Sequence, residues 1–326
     1  MTRTATWALS LGILLFIGLL VSQGLSAVMS TLSLAGWGLI GVALFHLLPL
    51  GLDAAGIRVL FGVTGIRATF ADALLVRWAG ESASSLMPAG QIGGPVMMAR
   101  HLSQRGAPLP EAAAVITVST TLQTFAQIAF ALLGATLLGA HAGRLSENTV
   151  RTSSLIASAF LAVQIGGFYW IQRRGFFSKL MRTATRFAEK RDWSGWLAQA
   201  AAIDSAVELA YSRAGPVAAS FLFNSVGWVV GTGEVYLILM LIHHPVSLTD
   251  ALLLESLGQA IRGAAFAIPG ALGVQEGGYL LLGPITGLSP DAALALSLAK
   301  RARELLLGLP GLLYLHLYSR VKAAAV

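Results

Sequence analysis

Long apolar runs separated by short charged stretches make up most of the chain. At about 20 apolar residues per crossing, they predict membrane-spanning helices over residues 7–28, 34–52, 112–138, 152–171, 216–242 and 291–318. The first follows a short basic start. Its apolar run continues past the weak small-residue site at Ser26-Ala27, so it reads as an uncleaved span rather than a signal peptide. Residues 193–213 place Trp193, Trp196, Leu197, Ala200, Ile203, Val207 and Ala210 along one side. That pattern predicts an amphipathic helix, lying on the inner membrane surface or packed on a neighbouring element.

Two stretches break the pattern. Residues 72–101 and 250–283 are apolar enough to enter a bilayer, yet they carry charges and helix breakers: Pro88 with Gly93-Gly94 in the first, Pro269-Gly270 and Gly277-Gly278 in the second. Such residues are tolerated at membrane depth only where the backbone is buried in protein or lines a polar cavity. The two stretches also resemble each other. Asp72-Ala-Leu-Leu with Gly80-Glu81 matches Asp250-Ala-Leu-Leu with Gly258-Gln259, and Pro88-Ala-Gly-Gln-Ile-Gly-Gly echoes Pro269-Gly-Ala followed by Gln275-Glu-Gly-Gly. Pro110-Glu-Ala-Ala then echoes Pro290-Asp-Ala-Ala, so the matches recur in order about 180 residues apart. This ordered set predicts a duplication, with a first half over 1–140 and a second over 141–326. Three predicted crossings separate the copies, an odd number, so they enter from opposite faces. The expected fold is an all-α polytopic membrane protein: six transmembrane helices plus two broken, re-entrant helical hairpins in an inverted-topology repeat.

Composition supports a membrane location. Of 326 residues 56% are hydrophobic and only 11% charged, against about a quarter charged in soluble domains; the mean hydropathy is +0.73. The net charge of +7 would suit nucleic acid in a soluble protein. Here it reads as Lys and Arg held on the cytoplasmic side against anionic lipid, with no nucleic-acid partner. Residues 173–191 hold seven Lys/Arg and one Glu, and five arginines (Arg58, Arg67, Arg77, Arg100, Arg105) surround the first broken element, whereas Arg262 is the one basic residue within 243–290. The bias predicts a bacterial inner-membrane protein with both termini cytoplasmic. The absence of cysteine excludes disulfides, thiolate metal sites and cysteine catalysis. No phosphate loop, HExxH or Gly-x-Ser-x-Gly motif is present, and the six histidines do not cluster as metal ligands. No cofactor, metal or catalytic residue is therefore expected.

Candidate chemistry lies in the polar residues of the apolar segments. Lys300-Arg301-Ala302-Arg303-Glu304 falls about ten residues into the last predicted span, well inside the hydrocarbon at about 1.5 Å per residue. Lys300 and Glu304 can pair at i, i+4. The arginines need an anion: Glu276, Glu81 or Glu234 from the protein, or a phosphate or carboxylate of a ligand. Glu81, Gln91, Arg262, Gln275, Glu276, Lys300, Arg301, Arg303 and Glu304 form the expected lipid site, unless these charges only pair with one another and hold the halves together. Thr117, Thr120, Thr121, Thr124 and Gln127 recur at helical spacing, with Gln123 beside them. This stripe either glues helices or walls a polar path, to which Asn224 and Glu234 belong on one face of the 216–242 helix. Gly227-xxx-Gly231 on that face permits close helix approach.

Arg77-Trp-Ala-Gly-Glu-Ser, Pro88-Ala-Gly-Gln-Ile-Gly-Gly and Ala267-Ile-Pro-Gly-Ala-Leu-Gly-Val-Gln-Glu-Gly resemble the lysylphosphatidylglycerol synthase transmembrane, flippase-like family. The run Ala295-Leu-Ser-Leu-Ala-Lys-Arg-Ala-Arg-Glu-Leu is similar to the members associated with hopanoid biosynthesis. The resemblance spans nearly the whole chain. It implies lipid handling: movement of an amphiphile, an anionic phospholipid or a hopanoid-type lipid, between leaflets without ATP hydrolysis. The family's bifunctional members make their lipid in a separate cytosolic domain, which no stretch of these 326 residues resembles, so synthase activity is not expected. Two alternatives stay open. One is an intramembrane headgroup transferase using Glu81 or Glu276 as general base. The other is a non-catalytic partner that recruits lipid-biosynthesis enzymes through the basic 173–191 loop.

Overall fold

The structure, a computed structural model, describes residues 29–30, 33–87, 90–141, 170–172, 174–186, 194–265 and 268–324. The predicted spans at 7–28 and 152–171 lie outside the described residues, except for the last two positions of the second, and so does Pro88. The described chain is 87% helical in eleven α-helices, with no strand. These are α1 (Gly38–Phe45), α2 (Leu47–Thr64), α3 (Phe70–Leu86), α4 (Gly90–Gln104), α5 (Leu109–His141), α6 (Phe176–Arg186), α7 (Ser194–Tyr211), α8 (Ala214–Leu241), α9 (Leu248–Ala264), α10 (Val274–Leu282) and α11 (Pro290–Ala324).

Three stretches among the described residues are long and apolar enough to cross a membrane: Gly38–Thr64, Leu109–Leu138 and Ala214–Leu241. The first corrects the predicted span at 34–52. It runs 12 residues further, through α1 and α2 joined at His46, so that Asp53 and Arg58 fall inside a helix rather than after it. The 35-residue α11 is long enough to span but fails on apolarity, because Lys300, Arg301, Arg303 and Glu304 interrupt it at mid-length.

The duplicated text marks equivalent structure. Both α3 and α9 have 17 residues and begin with a capping box, Thr69 with Asp72 and Ser247 with Asp250. In each, the hydroxyl oxygen accepts from the Asp amide while the Asp carboxylate accepts from the cap amide, satisfying two donors the helix start leaves free. Packing follows the same correspondence. α2 lies on α3 as α8 lies on α9; α3 lies on α4 as α9 lies on α10; and α4 lies on α5 as α10 lies on α11. Across the halves, α3 meets α11 and α9 meets α5, while α2 and α8 pack against each other.

Two apolar cores result. One gathers Ile57, Leu60, Phe61, Val76, Leu102 and Ile116 with Val207 of α7. The other gathers Val235, Ile238, Leu254, Tyr279, Ala292 and Leu296. Ile203, Val207 and Ala210 of α7 therefore pack toward α5 and α6. Asp204 of α7 fixes this arrangement by accepting from the free Phe177 and Ser178 amides at the start of α6, at 3.0 and 2.8 Å. A further clamp joins α3, α4 and α11. Arg105 bonds Asp72 at 2.6 Å and the Tyr314 hydroxyl at 3.2 Å, Trp78 stacks on Tyr314, and the Trp78 indole donates to the Leu307 carbonyl at 2.9 Å. Partial burial pushes the Asp72 carboxyl up, but the Thr69 amide and hydroxyl and the Arg105 guanidinium outweigh it and hold the group below its ordinary range. The clamp is thus complete at neutral pH and weakens as pH falls through the carboxylate range.

The expected breaks fall partly elsewhere. The second element does break at Pro269–Ala271, where Gly270 sits at φ 61° and Ala271 at φ 50°. Gly277 and Gly278 lie inside α10, and Gly93 and Gly94 inside α4, so neither pair interrupts a helix. Their use is close packing: a Cβ on Gly94 would stand 2.7 Å from the Gly80 carbonyl oxygen and 1.9 Å from Ser84 Oγ. Likewise Gly227 abuts α2, whereas a Cβ on Gly231 would meet nothing within 4 Å. Gly94→Ala is therefore expected to force α3 and α4 apart and cost about 1–3 kcal/mol. Gly231→Ala should stabilise α8 by about 0.5–1 kcal/mol. Thermal unfolding of the two variants in detergent micelles checks the contrast, which fails if both shift the midpoint the same way.

Candidate functional site

Between the two apolar cores runs a polar seam. It begins at Asp53 of α2, which accepts from Arg77 of α3 at 2.8 and 3.0 Å and from the Gln123 amide of α5 at 2.8 Å. Arg77 also lies 3.7 Å from Glu81, one turn along α3. Glu81 meets His46 Nε2 at 2.8 Å, and His46 Nδ1 meets Glu234 of α8 at 2.8 Å. Glu234 accepts from Arg303 Nε of α11 at 3.1 Å, and Lys300 Nζ lies 4.0 Å away. Lys300 donates to Glu255 of α9 at 2.5 Å. Arg262 of α9 bonds Glu304 of α11 and, at 3.0 Å, Gln275 of α10. Two sets of contacts result: one runs from Asp53 to Glu255 and joins α2, α3, α5, α8, α9 and α11, and the other joins α9, α10 and α11.

The charges in the seam nearly cancel. Arg77, Arg262, Lys300, Arg301 and Arg303 face Asp53, Glu81, Glu234, Glu255, Glu276 and Glu304, five fixed cations against six carboxylates. Removing such groups from water costs several kcal/mol each, an outlay offset only when each is paired and hydrogen-bonded. Lys300 is 1% exposed and Glu276 fully buried, so their partners are a condition of folding.

An inward cavity of about 240 Å³ opens along this seam. Its charged walls come from Asp53, Arg77, Glu81, Glu234, Glu255, Arg262, Arg303 and Glu304, and Thr120, Gln123, Thr124, Gln127 and Trp228 form a polar uncharged side. Of the expected site residues, Glu81, Arg262, Arg303 and Glu304 therefore line the cavity, and so do Thr124, Gln127 and Glu234 of the expected path. Lys300, Arg301, Gln275 and Glu276 stand behind the wall. The Gln275 amide donates to Ser297 at 2.9 Å, and Glu276 accepts from Ser297 Oγ at 3.0 Å, from Arg301 Nε at 3.2 Å and from the Gly273 amide at 2.7 Å. Arg301 Nη1 donates to the Gly270 carbonyl at 2.5 Å. The helix break frees that carbonyl, and this arginine satisfies it.

Three path residues point elsewhere. Thr121 donates to the Thr117 carbonyl at 2.7 Å and accepts from Gln172 at 2.9 Å, and Gln172 in turn accepts from Tyr211 of α7 at 2.9 Å. Asn224 is buried against α2 and donates to the Ser220 carbonyl at 2.9 Å. Thr117, Thr121 and Asn224 are not among the residues that line the cavity. The Gln91 side chain lies outside the described residues.

His46, Asp53, Glu255, Gln259 and Ser297 were not among the expected site residues, nor was Arg77 given a role there. A lone His or Asp in an apolar run carries no periodic signal. The duplication did hold a usable one: Arg77 stands five residues after Asp72, and Glu255 five after Asp250, so the repeat puts opposite charges at equivalent positions. Among the described residues no cluster of His, Asp or Glu is suited to a metal ion.

The family profile described as the lysylphosphatidylglycerol synthase TM region matches residues 7–311, and the chain belongs to that family. No curated protein matches the chain.

The pairing behind the cavity wall is testable. Lys300→Ala leaves the Glu255 carboxylate buried without its cation and is expected to cost about 3–5 kcal/mol. Lys300→Met combined with Glu255→Leu removes both charges and should recover most of that loss. Thermal unfolding in detergent distinguishes them; equal destabilisation by the two would contradict the pairing.

Proposed function

With membership of a lipid-handling membrane family as the premise, we propose that the protein carries the polar headgroup of a membrane amphiphile between leaflets. It does so through the seam cavity and without ATP hydrolysis, the acyl or polycyclic part staying in lipid. The observation that carries this reading is a polar cavity, walled by paired charges, beside two apolar cores. Such a cavity lowers the cost of bringing a polar group into oil, because its walls substitute for water. At about 240 Å³ it falls below the ~300–1,000 Å³ of pockets that enclose whole small ligands, which suits a headgroup rather than a complete lipid.

The pairing of the cations refines the substrate. The fixed cations already have carboxylate partners, so a net-anionic group would have to displace them. A zwitterionic or neutral hydroxylated headgroup asks for no net countercharge, and a hopanoid-type lipid would meet that requirement. Glu81 and Glu276, the candidate bases of the transferase alternative, each have several partners, which favours carriage over chemistry.

The proposed architecture is an inverted repeat of residues 1–140 and 141–326 with six crossings, α11 among them, whose two interrupted elements, α3–α4 and α9–α10, act as the moving parts. The paired capping boxes and the matched packing order support it. The basic 173–191 segment, expected as a loop but helical over Phe176–Arg186, supports an inner-membrane placement with cytoplasmic termini. Leaflet exchange of fluorescent phospholipids in proteoliposomes tests the function. The native protein should accelerate exchange of zwitterionic headgroups over anionic ones. Gly231→Trp, which projects a side chain into open cavity, should slow exchange by about tenfold, equivalent to about 1.4 kcal/mol on the barrier, while the protein still elutes as native. Exchange at the protein-free rate for every headgroup would overturn the proposal.

A further inference from the structure

His46 sits where the two halves of the seam meet. It ends α1 and begins α2 within one apolar stretch, and it lies on the cavity wall. Its Nδ1 is 2.8 Å from Glu234 Oε2 on α8, and its Nε2 is 2.8 Å from Glu81 Oε1 on α3. Ionised carboxylates only accept hydrogen bonds, so satisfying both contacts requires a proton on each ring nitrogen, the imidazolium form. The same proton supplies the sixth cation that the six carboxylates of the seam otherwise lack.

Nε2 has a second neighbour of opposite character. Arg303 Nη1 of α11 lies 3.4 Å away, and a guanidinium only donates. Protonated, Nε2 can donate to Glu81. Deprotonated, its lone pair can accept from Arg303. Both states of the ring therefore have partners in place, and the change exchanges a bond to α3 for a bond to α11. The charged groups around it are Asp53 on α2, Arg77 and Glu81 on α3, Glu234 on α8, and Lys300, Arg303 and Glu304 on α11. Without the imidazolium, the ring no longer holds Glu81 to Glu234, and Arg303, 3.5 Å from Glu81 and 3.1 Å from Glu234, is left between them.

We propose that His46 is the proton-binding site that couples headgroup passage to proton movement: protonated, it clasps Glu81 to Glu234, and on losing the proton it releases its hold on Glu81 of α3. This rests on the translocation reading of the cavity. Only an N–H bond breaks and re-forms, the proton passing to and from water in the cavity. The clasp is complete at low pH and is lost as pH rises through the titration of the ring.

The chain has no cysteine, so Ser85→Cys, on the α3 side of the cavity, is a clean reporter. Labelling of that thiol by a water-soluble maleimide is followed across pH in the otherwise native chain and in the His46→Gln background, where the thiol's own ionisation cancels. The expected result is labelling that rises with pH more steeply with His46 present. Identical profiles overturn the proposal. Histidine-¹⁵N NMR of the full chain, without any substitution at His46, gives an independent reading: a buried histidine whose two nitrogens stay protonated near neutral pH and lose one proton as pH rises. A ring that is neutral throughout overturns the proposal as well. Exchange of a zwitterionic fluorescent phospholipid in vesicles held at different pH separates the two ideas. Exchange with the same pH profile in native and His46→Gln protein removes the coupling and leaves transport standing. Exchange absent at every pH, with labelling that still follows His46, keeps the clasp and removes the transport role.

Discussion

Charge in an apolar interior must be answered by charge, and this requirement organises the molecule. Five fixed cations and six carboxylates are gathered in one seam because no other place in the fold could hold any of them singly. Helices far apart in the chain supply groups that one another need: Glu81 and Arg77 from α3, Glu234 from α8, and Lys300, Arg303 and Glu304 from α11. These helices are therefore joined by more than apolar packing. Separating them exposes unpaired charge to oil, and that cost confines any motion to rearrangements that keep every group partnered. The Nε2 nitrogen of His46, with an acceptor on one side and a donor on the other, is the place where such an exchange is built in.

The broken element follows from the same constraint applied to the backbone. Interrupting a helix frees carbonyl and amide groups that lipid cannot satisfy. Here Arg301 takes the Gly270 carbonyl and Glu276 takes the Gly273 amide, and the two side chains pair with each other. Residues that look from the sequence like ligand-binding charges are in this position the support of a turn. Glycines have an equally physical role: Gly94 brings α4 onto α3 and Gly227 brings α8 onto α2, while Gly231 leaves room in the cavity wall.

Much of this was legible before any coordinates. The apolar runs foretold a helical membrane protein; the ordered matches between 72–110 and 250–290 foretold a pair of equivalent helices, seen as the two capping boxes. The charged run at 300–304 foretold buried charge, seen at Lys300, Arg303 and Glu304. Less legible was the end of the second span, since Asp53 and Arg58 look like loop residues until Asp53 is seen bonded to Arg77 and Gln123. His46 was invisible, because one histidine in an apolar run has no period and no motif.

Local chemistry is written in the sequence: which segments prefer oil, where a helix starts, where Pro269-Gly270 stops one, and that charge is buried somewhere. Which charge meets which is decided only when segments far apart in the chain come together, as His46, Glu81, Glu234 and Arg303 do. Hydropathy and helical periodicity are properties of neighbours along the chain, whereas an ion pair depends on distance in space. The sequence therefore determined that this protein must hide charge in a membrane, and the tertiary structure alone decided which charges answer one another around the cavity.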